Sequence, residues 1–282
     1  MKLVRFGAPN QEKPGILAPD GTLRDLSGIL SDLTPDYLGP EALDKLGRMD
    51  HSILPVVEGS VRFGVPCAGI QKIIAVGLNY SDHAAEAGMA IPKEPILFSK
   101  SITSLNGPND DVVIPRDSTK VDWEVELGVV IGKRAKSVPE SEAMEYVAGY
   151  CLANDVSERE LQLERGGGQW LKGKSLDTFC PVGPWLVTCD EVEDPHDLGA
   201  WLDVNGVRRQ SGNTGTMIFR VPYLVHYISQ FITLTPGDLI ITGTPPGVGM
   251  GMKPPAFLDH GDLMELGIDG LGVQRQKIVR EA

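Results

Sequence analysis

The 282-residue sequence has no apolar run approaching the length of a membrane span, and its opening, Met1-Lys2-Leu3-Val4-Arg5-Phe6-Gly7, lacks the apolar segment of a signal peptide. A folded, soluble, cytoplasmic protein is the expectation. Cysteine is scarce: Cys67, Cys151, Cys180 and Cys189 are widely separated and form no Cys-x-x-Cys pair. That argues against a zinc ribbon and against a disulfide framework, and leaves reduced, mostly buried thiols. Positive charge is also short, with a formal net charge of −12 and no dense lysine or arginine run, so nucleic acid is an improbable partner. A small anionic ligand would need local positive charge, from a bound metal or one or two lysines. No Gly-Lys-Ser/Thr closes a phosphate loop and no Asp-x-Asp-x-Asp-Gly loop for Ca²⁺ is present.

What is there suffices for a full core: 41% of the residues are hydrophobic, and 33 glycines and 21 prolines punctuate many turns. Residues 1–66 read as short strands and turns, a small N-terminal domain ending at the Phe63-Gly64-Val65-Pro66 turn. From residue 67 to 282 the apolar runs are stronger. Those at 72–77, 96–98, 112–115, 121–131, 146–155 and 239–243 are mostly short and bounded by Gly, Pro or Asp, which predicts strands. Helices are expected only at 81–87, 140–146 and 221–231, the last with Pro222 early, where a helix tolerates it. Strand and helix do not alternate, so the expected class is α+β, mainly β, rather than a doubly wound sheet.

Glu124 and Glu126 stand two apart in the run Val121-Asp122-Trp123-Glu124-Val125-Glu126-Leu127, so on a strand they project from one face. Two like charges among apolar neighbours need a cation or a raised pKa. Asp155 ends a second apolar run and supplies a third carboxylate. Three carboxylates without a His or Cys cluster suit Mg²⁺ or Mn²⁺ better than Zn²⁺. His83 and Glu86 lie three apart on a short helix that Ser81 could cap, an arrangement suited to a general base that activates water. Lys174 follows the glycines 166–168 and could stabilise a developing enolate, with Lys172 as the natural control. The run Thr242-Gly243-Thr244-Pro245-Pro246-Gly247-Val248-Gly249 offers N–H groups and hydroxyls to an anion.

Taken in order, Gly77-Leu78-Asn79-Tyr80-Ser81-Asp82-His83, Glu124-Val125-Glu126-Leu127, Asn154-Asp155-Val156-Ser157-Glu158-Arg159, Gly173-Lys174-Ser175 and the 242–249 run resemble the fumarylacetoacetate hydrolase family over about residues 70–280. The resemblance implies a mixed β-sandwich rolled into a barrel-like shape, a homodimer, and Mg²⁺ or Mn²⁺ on Glu124, Glu126 and Asp155. It implies a His83–Glu86 dyad on a lid, Lys174 polarising substrate oxygens, and substrate contacts at Tyr80, Gln162 and Thr244. Lys100 and the lid residues Ala87-Gly88-Met89-Ala90-Ile91-Pro92 are expected to set the substrate's tail. The opening heptapeptide and the stretch 205–214 look most like bacterial members named ureidoglycolate lyases or 2,4-dioxo-3-deoxy sugar acid (rhamnonate or fuconate) hydrolases.

The expected reaction is hydrolysis of a small anionic 2,4-dioxo acid. Water activated by His83 adds to the 4-carbonyl, the bond between carbons 3 and 4 breaks, and Lys174 stabilises the departing pyruvate enolate. Ureidoglycolate lyase, oxaloacetate decarboxylase, 2-oxo-diacid isomerase or hydratase, and a non-catalytic metal- and ligand-binding protein are the alternatives.

Overall fold

The computed structural model describes residues 1–86 and 88–281. Its largest element is a nine-stranded mixed sheet with the order Leu23–Asp25, Lys13–Leu17, Lys2–Phe6, Leu186–Thr188, Val147–Asn154, Val125–Ile131, Leu239–Ile241, Ile73–Gly77, Ile96–Lys100. Within this sheet, among the described residues, only the Leu239–Ile241 and Ile73–Gly77 strands pair in parallel. A five-stranded sheet, Val207–Asn213, Gly199–Val204, Leu263–Ile268, Gly272–Arg280, Val112–Ile114, forms the second layer. Each sheet begins and ends on a different strand, so neither closes into a barrel. The mainly β class expected from the short apolar runs is the class observed.

The unbroken apolar character of the central strands follows from burial on both faces. Val125, Leu127 and Val129 join a core with Leu202, Met264 and Leu266 of the second sheet, while Val130 turns to another core with Leu3, Ile16 and Leu186. The N-terminal strands reach that second core by pairing Lys2 with Val187 and Leu3 with Leu186. The helix Val221–Phe231 buries Leu224, Val225 and Ile228 against the inter-sheet core, with Pro222 in its first turn.

One local expectation fails: an α-helix at Pro40–Gly47 interrupts a segment expected to hold only strands and turns. Residues Glu140–Tyr146 are helical as expected, in the tighter 3-10 form, and only Ala143 among them is buried, so little packing favours a longer α-helix there.

Leu266 is fully buried between the sheets and lies outside the cavity described below. Leu266→Ala is expected to cost ~2–5 kcal/mol, from lost transfer energy and the cavity left behind, in urea denaturation followed by fluorescence. A loss below about 1 kcal/mol would show that the two layers can close over the gap.

Candidate functional site

One edge of the large sheet gathers the residues singled out by spacing. The Val147–Asn154 strand ends at Asp155, the Leu239–Ile241 strand runs into Gly243 and Thr244, and the Ile73–Gly77 strand leads to the Ser81–Glu86 helix. A cavity of about 440 Å³ opens there, lined among others by His83, Glu86, Glu124, Glu126, Gln162, Lys174 and Thr244. A wider cleft of about 880 Å³, at Tyr37, Lys45 and Lys133, holds none of these groups.

Glu124 and Glu126 do not sit on one continuous strand. Pairing stops after Asp122 and resumes at Val125, so Glu124 lies in the break and Glu126 on the strand. The break is held from both sides. Asp155 N–H donates to Glu124 O at 2.9 Å, Glu124 N–H donates to Asn154 Oδ1 at 3.2 Å, and Val125 N–H donates to Gln210 Oε1 at 2.9 Å. These bonds satisfy backbone groups that a regular ladder would have paired. Oxygens of Glu124, Glu126 and Asp155 converge within 4.8 Å of one another, and all three residues are buried.

The charges around them decide how this cluster behaves. Lys174 Nζ donates to Glu124 Oε2 at 2.7 Å and Asp155 Oδ2 at 2.6 Å, and Lys100 Nζ to Asp155 Oδ1 at 2.5 Å. Arg159 pairs with Asp122 Oδ2 at 2.8 Å and Glu124 Oε1 at 2.7 Å. Three cations thus match three carboxylates. Glu126 is in no ion pair among the described residues, its one hydrogen bond being from Gly243 N–H to Oε2 at 2.7 Å. Burial, then the charges of Asp155 and Glu124, push its carboxyl well above the ordinary value. Burial raises Glu124 as well, but Lys174 and Arg159 outweigh it and bring that carboxyl down to about 2. For Lys174, burial opposes the charge, yet Asp155 and Glu124 hold the ammonium above an ordinary lysine. Three hard oxygen donors, one of them without a cation, fit a divalent ion of the Mg²⁺ or Mn²⁺ type.

The His83 side of the cavity is built by a bend. Leu78 takes a left-handed φ of +52°, a conformation costing a branched side chain about 1 kcal/mol or more. Buried Asn79 holds the bend, donating to Phe219 O and Thr242 O at 3.0 and 2.8 Å and accepting from Phe219 N–H at 2.8 Å. The helix that follows brings His83 Nδ1 to 3.3 Å from Glu86 Oε2. A proton on Nδ1 is the tautomer this contact favours, which leaves Nε2 as the basic atom facing outward from the pair. Ser81 does not cap the helix; its hydroxyl donates to Thr216 O at 3.2 Å. Ala87, expected within the lid, lies outside the described residues.

Lys174 and its control separate cleanly. Lys172 is exposed and donates to Arg165 O, whereas Lys174 is 1% exposed in the cluster. Gly173 makes this approach possible, since a Cβ there would stand 2.5 Å from both Gln162 N and Glu158 O. Gln162 lines the cavity and accepts from Arg159 Nη1 at 3.0 Å. Thr244 also lines it, but its hydroxyl is committed, donating to Val125 O at 2.9 Å and accepting from Gln210 Nε2 at 2.8 Å. Tyr80 and Lys100 are buried and stand outside the cavity lining, Lys100 behind Asp155.

The glycine-rich run gives its N–H groups to the protein's own carboxylates. Gly243 donates to Glu126, Gly247 to Glu86 at 3.1 Å, and Gly249 and Met250 to Asp122 at 2.7 and 3.0 Å. Gly243 has a φ of +98° and little room for a Cβ, which would lie 2.9 Å from Asn79 Cβ, so only glycine serves. Asp122 and Arg159 were not singled out from the sequence. Asp122 precedes the Glu-x-Glu pair and Arg159 closes the Asn154–Arg159 motif, but pairing across 37 residues leaves no local pattern.

Residues 72–279 match the family model described as fumarylacetoacetate (FAA) hydrolase C-terminal. Over 279 residues, 99% of this chain and 96% of the other, the sequence is 60% identical to a 2,4-didehydro-3-deoxy-L-rhamnonate hydrolase from Sphingomonas sp. (strain SKA58). Among solved structures, a fumarylacetoacetate hydrolase from Exiguobacterium antarcticum superposes with a TM-score of 0.87 at 35% identity, covering 100% of both chains. A maleylpyruvate hydrolase from Sphingobium sp. SYK-6, crystallised with manganese(II) and pyruvate, superposes with a TM-score of 0.83 at 29% identity, again over 100% of both chains.

Proposed function

The chain belongs to the fumarylacetoacetate hydrolase family, and we propose that it is a divalent-metal-dependent hydrolase that splits the carbon–carbon bond of a 2,4-dioxo acid. The substrate class is an acylpyruvate or a 2,4-dioxo-3-deoxy sugar acid, and the products are pyruvate and a carboxylic acid. The observation that carries this is one cavity lined by Glu124 and Glu126, whose oxygens converge with those of the buried Asp155 and of which Glu126 has no cation, together with a His–Glu pair on a separate helix. The names of the rhamnonate hydrolase relative and of the manganese- and pyruvate-bound maleylpyruvate hydrolase support it.

Glu124, Glu126 and Asp155 would hold Mg²⁺ or Mn²⁺, which supplies positive charge for the substrate's carboxylate and 2-oxo oxygen. His83 Nε2 takes a proton from the water that adds to carbon 4, and Glu86 steadies the imidazolium that results. The bond between carbons 3 and 4 then breaks with its electron pair going to carbon 3. Carbon 4 leaves as the carboxylic acid, and a proton delivered to carbon 3 completes pyruvate. Lys174, at the cavity floor, places an ammonium where negative charge gathers on the departing fragment. Gln162 presents its amide to the same space, and Thr244 shapes the wall beside it. The proposal includes a homodimer in the cytoplasm, with residues 1–66 as a small domain beside a catalytic unit of residues 67–282.

The test is a panel assay of the metal-loaded protein with acetylpyruvate, a 2,4-dioxo-3-deoxy sugar acid, oxaloacetate and ureidoglycolate. Pyruvate plus an equimolar carboxylic acid from the first two is expected. Glyoxylate from ureidoglycolate, or CO₂ from oxaloacetate, without cleavage of either dioxo acid would move the activity to a lyase or decarboxylase.

A further inference from the structure

The cavity has two chemically distinct halves. Its floor carries the ionised cluster, whereas its outer wall is built from Met89, Ile96, Phe98, Leu163, Trp170 and Met250. Trp170 owes its position to a missing side chain, because a Cβ on Gly77 would stand 2.4 Å from Trp170 Cζ3. Phe98 supports the indole edge-on with ring centroids 5.1 Å apart, and Lys174 Nζ lies 5.2 Å from the Phe98 ring centroid, where the two halves meet. The aromatic pair therefore forms a rigid step just beyond the charged floor.

Both cations in the described lining are already engaged, Arg159 by Asp122 and Glu124 and Lys174 by Glu124 and Asp155. The other ionisable groups there, besides the two metal-site glutamates, are His83 and Glu86. A second carboxylate on the substrate would thus be laid against Trp170 and Phe98 without a counter-charge, in a cavity that also holds the carboxylate of Glu86. Desolvating an unpaired anion in this way is strongly unfavourable. An uncharged tail would instead bury its C–H surface on the same wall.

We propose that Trp170 and the apolar wall around it select monocarboxylic 2,4-dioxo acids whose departing acyl group is short and uncharged, and reject dicarboxylic ones. This rests on the 2-oxo acid being anchored at the floor, as in the function proposed above. Binding is therefore the primary readout. 2-Oxohexanoate and 2-oxoadipate have equal carbon number and differ in the charge at the far end, so calorimetry of each with the Mn²⁺-loaded full chain isolates the wall.

2-Oxohexanoate, with its uncharged tail, is expected to bind at least ~10-fold more tightly. Leu163→Lys, at a position 46% exposed and so able to carry a charge, is expected to shrink that gap to about threefold or less. Trp170→Ala is expected to weaken 2-oxohexanoate about tenfold, with a smaller loss for pyruvate, which has no tail. Equal or tighter binding of 2-oxoadipate to the parent overturns the assignment, as does a gap that Leu163→Lys leaves untouched. If neither acid binds, the assignment falls together with the anchoring. Acylpyruvate cleavage measured in parallel separates the two ideas: no cleavage with the binding order intact sinks the hydrolytic activity and leaves the wall's preference standing.

Discussion

Removal of divalent metal by a chelator is expected to lower acylpyruvate cleavage by ~10³-fold or more, with recovery on adding Mg²⁺ or Mn²⁺. The magnitude follows from several kcal/mol of charge stabilisation, at about 1.4 kcal/mol per factor of ten. The cause is local. Lys174, Lys100 and Arg159 balance Glu124, Asp155 and Asp122, and Glu126 is left with only the Gly243 N–H. An ion bound to folded protein also stabilises it, so the melting temperature should rise with Mn²⁺ concentration. Glu126→Gln supplies the complementary result. Its amide oxygen can still accept from Gly243, and its NH₂ can donate to the carboxylates of Glu124 or Asp155, whose oxygens lie within 4.8 Å. The metal-free variant should be at least as stable as the metal-free parent, by roughly 1–2 kcal/mol, because a carboxylate lacking a counter-charge has been neutralised. The same variant should lose both cleavage and the Mn²⁺-dependent rise in melting temperature. A chelated parent that cleaves at its full rate, or a Glu126→Gln protein that still melts higher with Mn²⁺, would remove the ion from this site.

His83→Ala is expected to reduce kcat by ~10² or more with little change in melting temperature, since general-base catalysis is worth about 10²–10⁴. His83 lies on a short, partly exposed helix whose buried residue is Ala84, so truncating the imidazole disturbs little packing. Glu86→Gln should cost less, because the amide oxygen can still accept from Nδ1 while the charge that favours imidazolium is gone. It also faces the Gly247 N–H at 3.1 Å, which an amide oxygen can keep. Stopped assays of pyruvate release under saturating substrate would measure both. Cleavage by His83→Ala at the parent rate would show that another group activates the water.

Much of the site was legible because its chemistry recurs in short patterns. Two glutamates two apart, an aspartate ending an apolar run, and His83 with Glu86 at helical spacing each state a local geometry that the fold preserves or bends only slightly. What local spacing could not convey was pairing. Asp122 reads as one more residue before Glu-x-Glu, yet its carboxylate ties Arg159 to the N–H groups of Gly249 and Met250. Lys100 looked like a pocket residue and instead sits behind Asp155, 55 positions away. The glycine-rich run looked like a cradle for a ligand anion, but those N–H groups are taken by Glu86, Asp122 and Glu126. The helix at Pro40–Gly47 escaped notice because a single buried leucine, Leu46, marks its inner face.

The sequence by itself determined the kinds of atoms available: hard carboxylate oxygens, one basic dyad at the spacing of a helical turn, and apolar strands long enough to be covered on both faces. Side-chain chemistry and backbone periodicity are local properties, so they can be read residue by residue. Tertiary structure alone decided which charges cancel. Antiparallel pairing of Val125–Ile131 with Val147–Asn154 brings Asp155 to Glu124, the tight packing at Gly173 brings Lys174 between them, and Glu126 is left over. Electrostatic energy in a buried site depends on distances of a few ångströms between groups far apart in the chain, and those distances exist only once the sheet has formed.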